Sequence, residues 1–255
     1  MKIEVDTHVH TVVSDHAYST ITEVVAEAAA TGLKGIVVTE HGPAVPGAPP
    51  PFFFSVSPMP REKARVRLYF GCEADILYST GELDIYADQL RRLDFVIAAL
   101  HQPVTPPSKR ERHTRAIVNA IKNPLVDCIA HPENPAYPVD MDVVVRAAAR
   151  YDKLLEVNNN SFLVRPGGER AYRDMLGACA DQGVRIAVAS DAHIDSEVGR
   201  VGRAFELLRD IGFPEDLIVN ATFDGFENYL HERRARVETF VARNEIFFEG
   251  CRFEF

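Results

Sequence analysis

Seven times along its 255 residues this chain passes from a short β-rich run into a stretch of helical or loop character. The runs are KIEV, GIVVT, VRLYF, FVIAAL, DCIA, KLLEV and RIAVA, beginning near residues 2, 35, 66, 95, 127, 153 and 185. Few architectures accept that pattern. Strands separated by helices pair in parallel, and the helices must lie outside the sheet they connect. Seven units predict a closed or nearly closed barrel, with an open doubly wound sheet as the competitor. Either arrangement gathers function at the C-terminal ends of the strands.

The helices between the strands are read from their apolar stripes. Ile21, Val24, Val25, Ala28 and Ala29 share one face, Thr20 and Glu23 form a capping box before them, and Gly32 supplies the stop. Tyr172, Met175, Leu176, Cys179 and Ala180 repeat the spacing before Gly183, as do Val201, Phe205, Leu208 and Ile211 before Gly212 and Pro214. One connection departs from the pattern. Residues 42–60, GPAVPGAPPPFFFSVSPMP, hold seven of the sixteen prolines and predict a semi-rigid loop without a helix. Its Phe52, Phe53 and Phe54 either pack across the barrel or at a subunit contact, or they wall the active site.

The strand ends carry the chemistry. The first run leads into DTHVHTVVSDHAYS, which places Asp6, His8, His10 and His16 within eleven positions of a chain that has nine histidines. His41 follows the second run, Glu73 the third, His101 the fourth and His131 the fifth, and SDAH after the seventh supplies Asp191 and His193. Alternate residues of a strand share a face, so His8 and His10 reach one pocket, as do Asp191 and His193. His113 and His231 sit in polar helical surroundings and read as surface residues. A lone strand-end histidine is more often structural than a ligand. Seven of them with two carboxylates on one rim would repel each other and resist desolvation without a cation. Nine nitrogen and oxygen donors exceed the needs of one ion, since four or five serve each, so two or three ions bridged by a carboxylate are expected. Such donors suit zinc, manganese or iron.

Composition narrows the partners. The chain is 46% hydrophobic and 25% charged, enough for a real core, and its formal charge of −9 argues against nucleic acid as a partner. No apolar run is long enough for a bilayer and MKIEVDTH lacks a signal-peptide core, so no membrane and a cytoplasmic location are expected. Cys72, Cys128, Cys179 and Cys251 match no zinc-ribbon spacing and read as reduced, mostly buried thiols.

The order D-x-H-x-H, H, EHG, CEA, H, HP and SDAH resembles the PHP (polymerase and histidinol phosphatase) superfamily, and HAYST, HPENPAYPVD and EVNNNSF resemble its YcdX-type stand-alone phosphatases. The resemblance runs from residue 3 to about 230. It implies an α/β fold, a distorted seven-stranded (β/α) TIM-like barrel, as a single domain over residues 1–255 with the tail from about 231 unassigned. It also implies three divalent metal ions, zinc first, with manganese or iron as alternatives. His8, His10, Glu73 and Asp191 would hold one ion, Glu73 would bridge to a second held by His101 and His131, and His16, His41 and His193 would hold the third. Glu73, Asp191 and His193 are the candidate catalytic residues. Two positions depart from the pattern: Glu40 stands where many members carry aspartate, and Gln102 where relatives carry an acid. Both read as residues that tune a metal ligand.

The expected reaction is hydrolysis of a small phosphomonoester by a hydroxide shared between two ions. Glu156 and Asn158 share a strand face below the rim and are candidates to orient the imidazoles, or to organise the barrel alone. Arg165, Lys109 and Arg110 are candidates to meet the substrate phosphate. Two other readings stay open: an amidohydrolase-type C–N or lactone hydrolase, which would ask for a strand-end lysine, and a noncatalytic metal-binding module. The proline-rich loop and the apolar segment IFFEG near the C-terminus are the surfaces offered to a homo-oligomer.

Overall fold

The seven β-rich runs become seven parallel strands. A computed structural model describes residues 1–56 and 60–244. Strands β1 (Val5–Val9), β2 (Gly35–Val38), β4 (Val66–Asp75), β5 (Phe95–Ala99), β6 (Cys128–Ile129), β7 (Leu154–Asn158) and β8 (Ile186–Ala189) stand side by side in that order. Every pairing among them is parallel, and β3 (Glu62–Lys63) adds an antiparallel hairpin to β4. Helices α1 (Ile21–Ala30), α2 (Ala87–Leu90), α3 (Arg110–Ile121), α4 (Met141–Tyr151), α5 (Ser161–Val164), α6 (Glu169–Gln182), α7 (Gly202–Ile211) and α8 (Phe223–Arg243) complete an α/β TIM-like barrel. The capping box of Thr20 and Glu23 is formed, and Gly183 and Gly212 end α6 and α7 in the left-handed conformation. Among the described residues no helix is long and apolar enough to cross a membrane. Cys72, Cys128 and Cys179 are buried free thiols, and Cys251 and IFFEG lie outside the described residues.

The barrel is nearly closed. β1 and β8 share no strand ladder, only the isolated bridge Val9–Ala192 at the upper end. Below it, one side chain closes the gap. The fully buried Asn220 donates through Nδ2 to Val5 O at 2.7 Å and Val188 O at 2.6 Å, and accepts from Val188 N at 3.0 Å. An amide presents donors and an acceptor together, so it satisfies both strand edges at once.

Alternation sorts each strand into an inner and an outer face. Val37, Tyr69, Phe95, Ile97 and Leu154 fill the interior, while Ile36, Leu68, Phe70 and Val96 meet the helices. Helix α8 closes the bottom: Phe226, Tyr229 and Leu230 plug the interior, and Arg233 Nε meets the buried Asp127 at 2.6 Å. The tail left unassigned after Leu230 is therefore, as far as Arg243, a continuation of this helix.

Between β2 and β4 no α-helix forms, as expected; the proline-rich loop takes its place against the sheet. A 3-10 turn at Pro51–Ser55 buries Phe54, which stacks on Phe70 at 6.4 Å, with Phe53 edge-on to Phe70 at 5.5 Å. Phe53 and Phe54 thus pack on the outside of the barrel rather than walling the active site, and Phe52 is exposed. His113 is not a surface residue. It is buried, accepts from Ser108 N through Nε2 at 2.7 Å, and donates through Nδ1 to Pro138 O at 3.1 Å. The polar neighbours that suggested exposure lie on the other side of α3, which buries only Ala116, Ile117, Ala120 and Ile121 besides His113 and Thr114. His231 is exposed, as expected.

Asn220→Ala should destabilise the protein by about 3 kcal/mol, because buried strand groups lose their partners, read as a lowered urea midpoint at unchanged slope. His113→Ala should cost about 2 kcal/mol without reducing metal uptake; undiminished stability in the same titration would count against its role as a loop anchor.

Candidate metal centre

Three backbone irregularities turn strand-end side chains toward one another. In β1 the register to β2 slips between Asp6 and Val9, a β-bulge. Val5 faces the interior and Val9 the outer layer, so the bulge leaves His8 and His10 facing inward and separates Asp6 from them. Asp6 accepts from Ser190 N at 3.1 Å and Gly199 N at 2.8 Å instead, and ties down the SDAH loop. His131 (φ 31°) and Asp191 (φ 56°) adopt left-handed backbone, a conformation that costs about 1–3 kcal/mol in a non-glycine residue and collects at functional sites. The two sides of the open seam meet here, with His10 N donating to Ala192 O at 2.9 Å and Asp191 N to His8 O at 3.0 Å.

Glu73, from the inner face of β4, stands at the middle. Its Oε2 lies 3.3 Å from His8 Nε2 and 3.4 Å from His10 Nε2; each of those nitrogens is 3.5 Å from Asp191 Oδ1. Its Oε1 faces the other way, 3.3 Å from His101 Nε2 and 3.0 Å from His131 Nε2. A third group forms around His16, whose Nε2 is 3.2 Å from that of His41 and 3.0 Å from that of His193. All nine expected residues converge. The grouping is less separate than expected, since His10 also stacks against His41 and His193 at 4.3 and 4.4 Å, and His41 Nδ1 lies 3.0 Å from Glu73 Oε2.

The donor atoms suit divalent cations. Imidazole nitrogens 3.0 Å apart, such as His8 Nε2 and His10 Nε2, need a proton or a cation between their lone pairs. His10 Nδ1 is buried without a hydrogen bond, and His41 Nδ1, though 3.0 Å from Glu73 Oε2, is not aligned to form one. Charge in the cluster is strongly coupled. Burial pushes the Glu73 and Asp191 carboxyls up, but the facing imidazoles, His8 foremost, outweigh it and hold both well below the usual range. Burial, then the neighbouring charges, pulls His41 down to about 3 and His131 and His193 to about 4, so these three offer free nitrogen at neutral pH. Burial also disfavours charge on His8, His10 and His101, yet the carboxylates around them prevail, raising His8 and His10 and bringing His101 to about 10.

A second ring of polar groups fixes the imidazoles. Glu156 Oε1 accepts from His8 Nδ1 at 2.6 Å, while its Oε2 accepts from His131 N at 2.8 Å and from Asn158 Nδ2 at 3.0 Å. Asn158 Nδ2 also donates to Asp191 Oδ2 at 3.1 Å. Of the pair considered for orienting imidazoles, Glu156 meets one directly, whereas Asn158 Nδ2 reaches only the carboxylates of Glu156 and Asp191. Asp75 Oδ1, 3.1 Å from His101 Nδ1, was missed by sequence reasoning. The signal was present, because Asp75 follows Glu73 by two positions on the same strand face.

Other expected residues fall elsewhere. Glu40 is buried but binds Thr11 and Ser14 rather than an imidazole, so it anchors the first loop. Gln102 is exposed, and no hydrogen bond among the described residues joins its side chain to a proposed ligand. Arg165 is at the site, with Nη1 3.4 Å from Asp191 Oδ2. Lys109 is exposed, and Arg110 spends its Nε on Val139 O at 2.8 Å; no hydrogen bond or ion pair among the described residues brings either side chain to the seven clustered histidines.

Cation uptake must displace the protons that His8 and His101 hold at neutral pH, since the facing carboxylates raise both in the cation-free protein. Titration calorimetry with zinc in buffers of different ionisation enthalpy should show net proton release, and affinity should fall as pH drops below 7. Uptake without proton release would contradict the charge state described.

Residues 6–210 match the PHP domain family. Curated relatives include a probable phosphatase of Acetivibrio thermocellus, 43% identical over 93% of this chain and 99% of its own length. A probable phosphatase of Caldanaerobacter subterraneus subsp. tengcongensis is 44% identical over 93% of this chain and 94% of its own. Among solved structures, the histidinol phosphate phosphatase of Lactococcus lactis, crystallised with zinc, L-histidinol and phosphate, overlays with a TM-score of 0.61 at 22% identity, covering 82% of this chain and 94% of that one. A putative histidinol phosphatase of Listeria monocytogenes gives 0.60 at 16% identity, covering 79% and 99%. With the family match spanning most of the chain, and relatives this similar along nearly their whole length, the protein belongs to the PHP domain family.

Proposed function

We propose that this protein is a metal-dependent phosphatase that hydrolyses a small phosphomonoester at a three-ion centre. The observation that carries the reading is Glu73, whose two oxygens each face a separate pair of imidazole nitrogens at 3.0–3.4 Å. A bridging carboxylate of that kind serves adjacent cations, and the probable phosphatases among its relatives support the reaction class. His8, His10, Glu73 and Asp191 would hold one ion, Glu73, His101 and His131 a second, and His16, His41 and His193 the third. Zinc is the first candidate, and manganese and iron suit the same donors. When bound, such ions neutralise phosphate charge and make hydroxide available at neutral pH by lowering the pKa of water from about 15.7 to about 7.

The chain supplies the rest. Glu156 and Asp75 hold the His8 and His101 rings in one orientation and one tautomer, which raises their basicity as ligands. Asn158 holds Asp191 through Oδ2 and leaves Oδ1 toward the histidines. Arg165 is the cation placed to meet a phosphate oxygen beside Asp191. An amidohydrolase arrangement lacks its lysine: Lys153, buried, donates to Val126 O near the Asp127 and Arg236 cluster at the opposite end of the barrel.

Metal content and turnover of a phosphomonoester panel, measured before and after chelation, test the proposal together. Turnover should vanish with the metal and return on its replacement. Glu73→Ala should lose about two ions and about a thousandfold in kcat/KM, and Glu156→Gln about 10- to 100-fold. Loaded protein that cleaves amides or lactones but no phosphomonoester would refute it.

A further inference from the structure

Beside the histidines lies a carboxylate without a well-formed partner. Glu133 is 3% exposed, and neither of its oxygens makes a well-aligned hydrogen bond. The hydroxyls of Ser161 and Tyr172 are near enough to favour its charged form, as is the Arg165 guanidinium, but none is aligned on it. Gly168 packs so closely that a Cβ there would lie 2.9 Å from Glu133 Cγ, which leaves no room for water on that side. A buried acceptor without a donor is costly and rare, and where one persists it calls for a partner that arrives in function.

Arg165 is its complement. Nη1 reaches Ser161 Oγ at 2.9 Å and Asp191 Oδ2 at 3.4 Å, while Nε and Nη2 have no hydrogen-bond partner among the described residues. Asp191 is a poor permanent anchor for this guanidinium. Its Oδ2 already accepts from Asn158 at 3.1 Å, and its Oδ1 faces His8 and His10. A cation on Asp191 would neutralise the carboxylate and repel the guanidinium beside it.

We propose that Glu133 is a positioning residue for Arg165: with cations on Asp191, the Glu133 carboxylate becomes the acidic anchor of the guanidinium and keeps it ready for the substrate phosphate. This rests on the reading of Arg165 as a phosphate contact. Glu133 itself, enclosed as it is, touches no substrate. Its contribution is to compensate the charge and fix the plane of a fork that would otherwise face only positive neighbours.

The test is calorimetric titration of inorganic phosphate into metal-loaded wild type, Glu133→Gln, Arg165→Lys and the double variant. Bound metal is counted in each, and melting temperatures are taken on the metal-free proteins. Glu133→Gln should weaken phosphate about tenfold and raise KM for a phosphomonoester to match, with kcat little changed and metal content intact. Its melting temperature should stay level or rise, because an unpartnered buried charge has been removed. In the Arg165→Lys background the same substitution should add nothing. Equal phosphate affinity in wild type and Glu133→Gln, additive losses in the double variant, or a lowered melting temperature with lost metal would overturn the role. Loaded wild type that binds phosphate but hydrolyses no monoester would sink the proposed activity alone, and the affinities would still decide the role of Glu133. Loaded wild type that binds no phosphate would overturn the clamp itself.

Discussion

One buried carboxylate sets the terms for the upper half of this barrel. Glu73 is 1% exposed, a position where an isolated negative charge is prohibitively expensive. It is tolerated because imidazoles from four other strand ends close around it, and their mutual repulsion is in turn tolerated because Glu73 and Asp191 stand among them. The cluster is therefore cooperative. Removing any member leaves buried charge or buried lone pairs without compensation, and divalent cations are the partners that satisfy the whole set at once.

The scaffold bends to build this arrangement. With Val5 facing the interior, a regular β1 would turn Asp6, His8 and His10 all outward; the bulge instead leaves Asp6 to the SDAH loop and brings the two histidines to the interior. His131 and Asp191 take left-handed backbone at the same rim. The seam between β1 and β8 lies here as well. Without a ladder, the two strands remain linked by a few backbone hydrogen bonds at the ligands and by Asn220 lower down. The spacing of His8, His10 and Asp191 is therefore set by those few backbone bonds and not by a full ladder.

Stability and chemistry are kept at opposite ends. The floor is held by α8, with aromatic packing of Phe226 and Tyr229 against Phe95 and Tyr69 and the Asp127–Arg233 pair. The rim has the opposite character: buried polar groups left without full pairing, among them His10 Nδ1 and the Glu133 carboxyl, with Arg165 bonded through Nη1 alone.

The sequence by itself determined the parallel barrel and the residues at its centre. Period-2 runs followed by amphipathic stripes leave few packings, and histidines at strand ends converge because a barrel brings all those ends to one rim. Only the tertiary structure decided which polar groups support them. Asp75 and Asp6 look equivalent in sequence, each two positions from a proposed ligand on a strand. One supports His101, and the bulge removes the other from the site. His113 and the phenylalanines of the proline-rich loop were read wrongly, or left open, for the same reason. Burial of a side chain depends on what packs against it from distant sequence, Pro138 and Ser108 for His113 and Phe70 for Phe54, and local pattern carries no record of such neighbours.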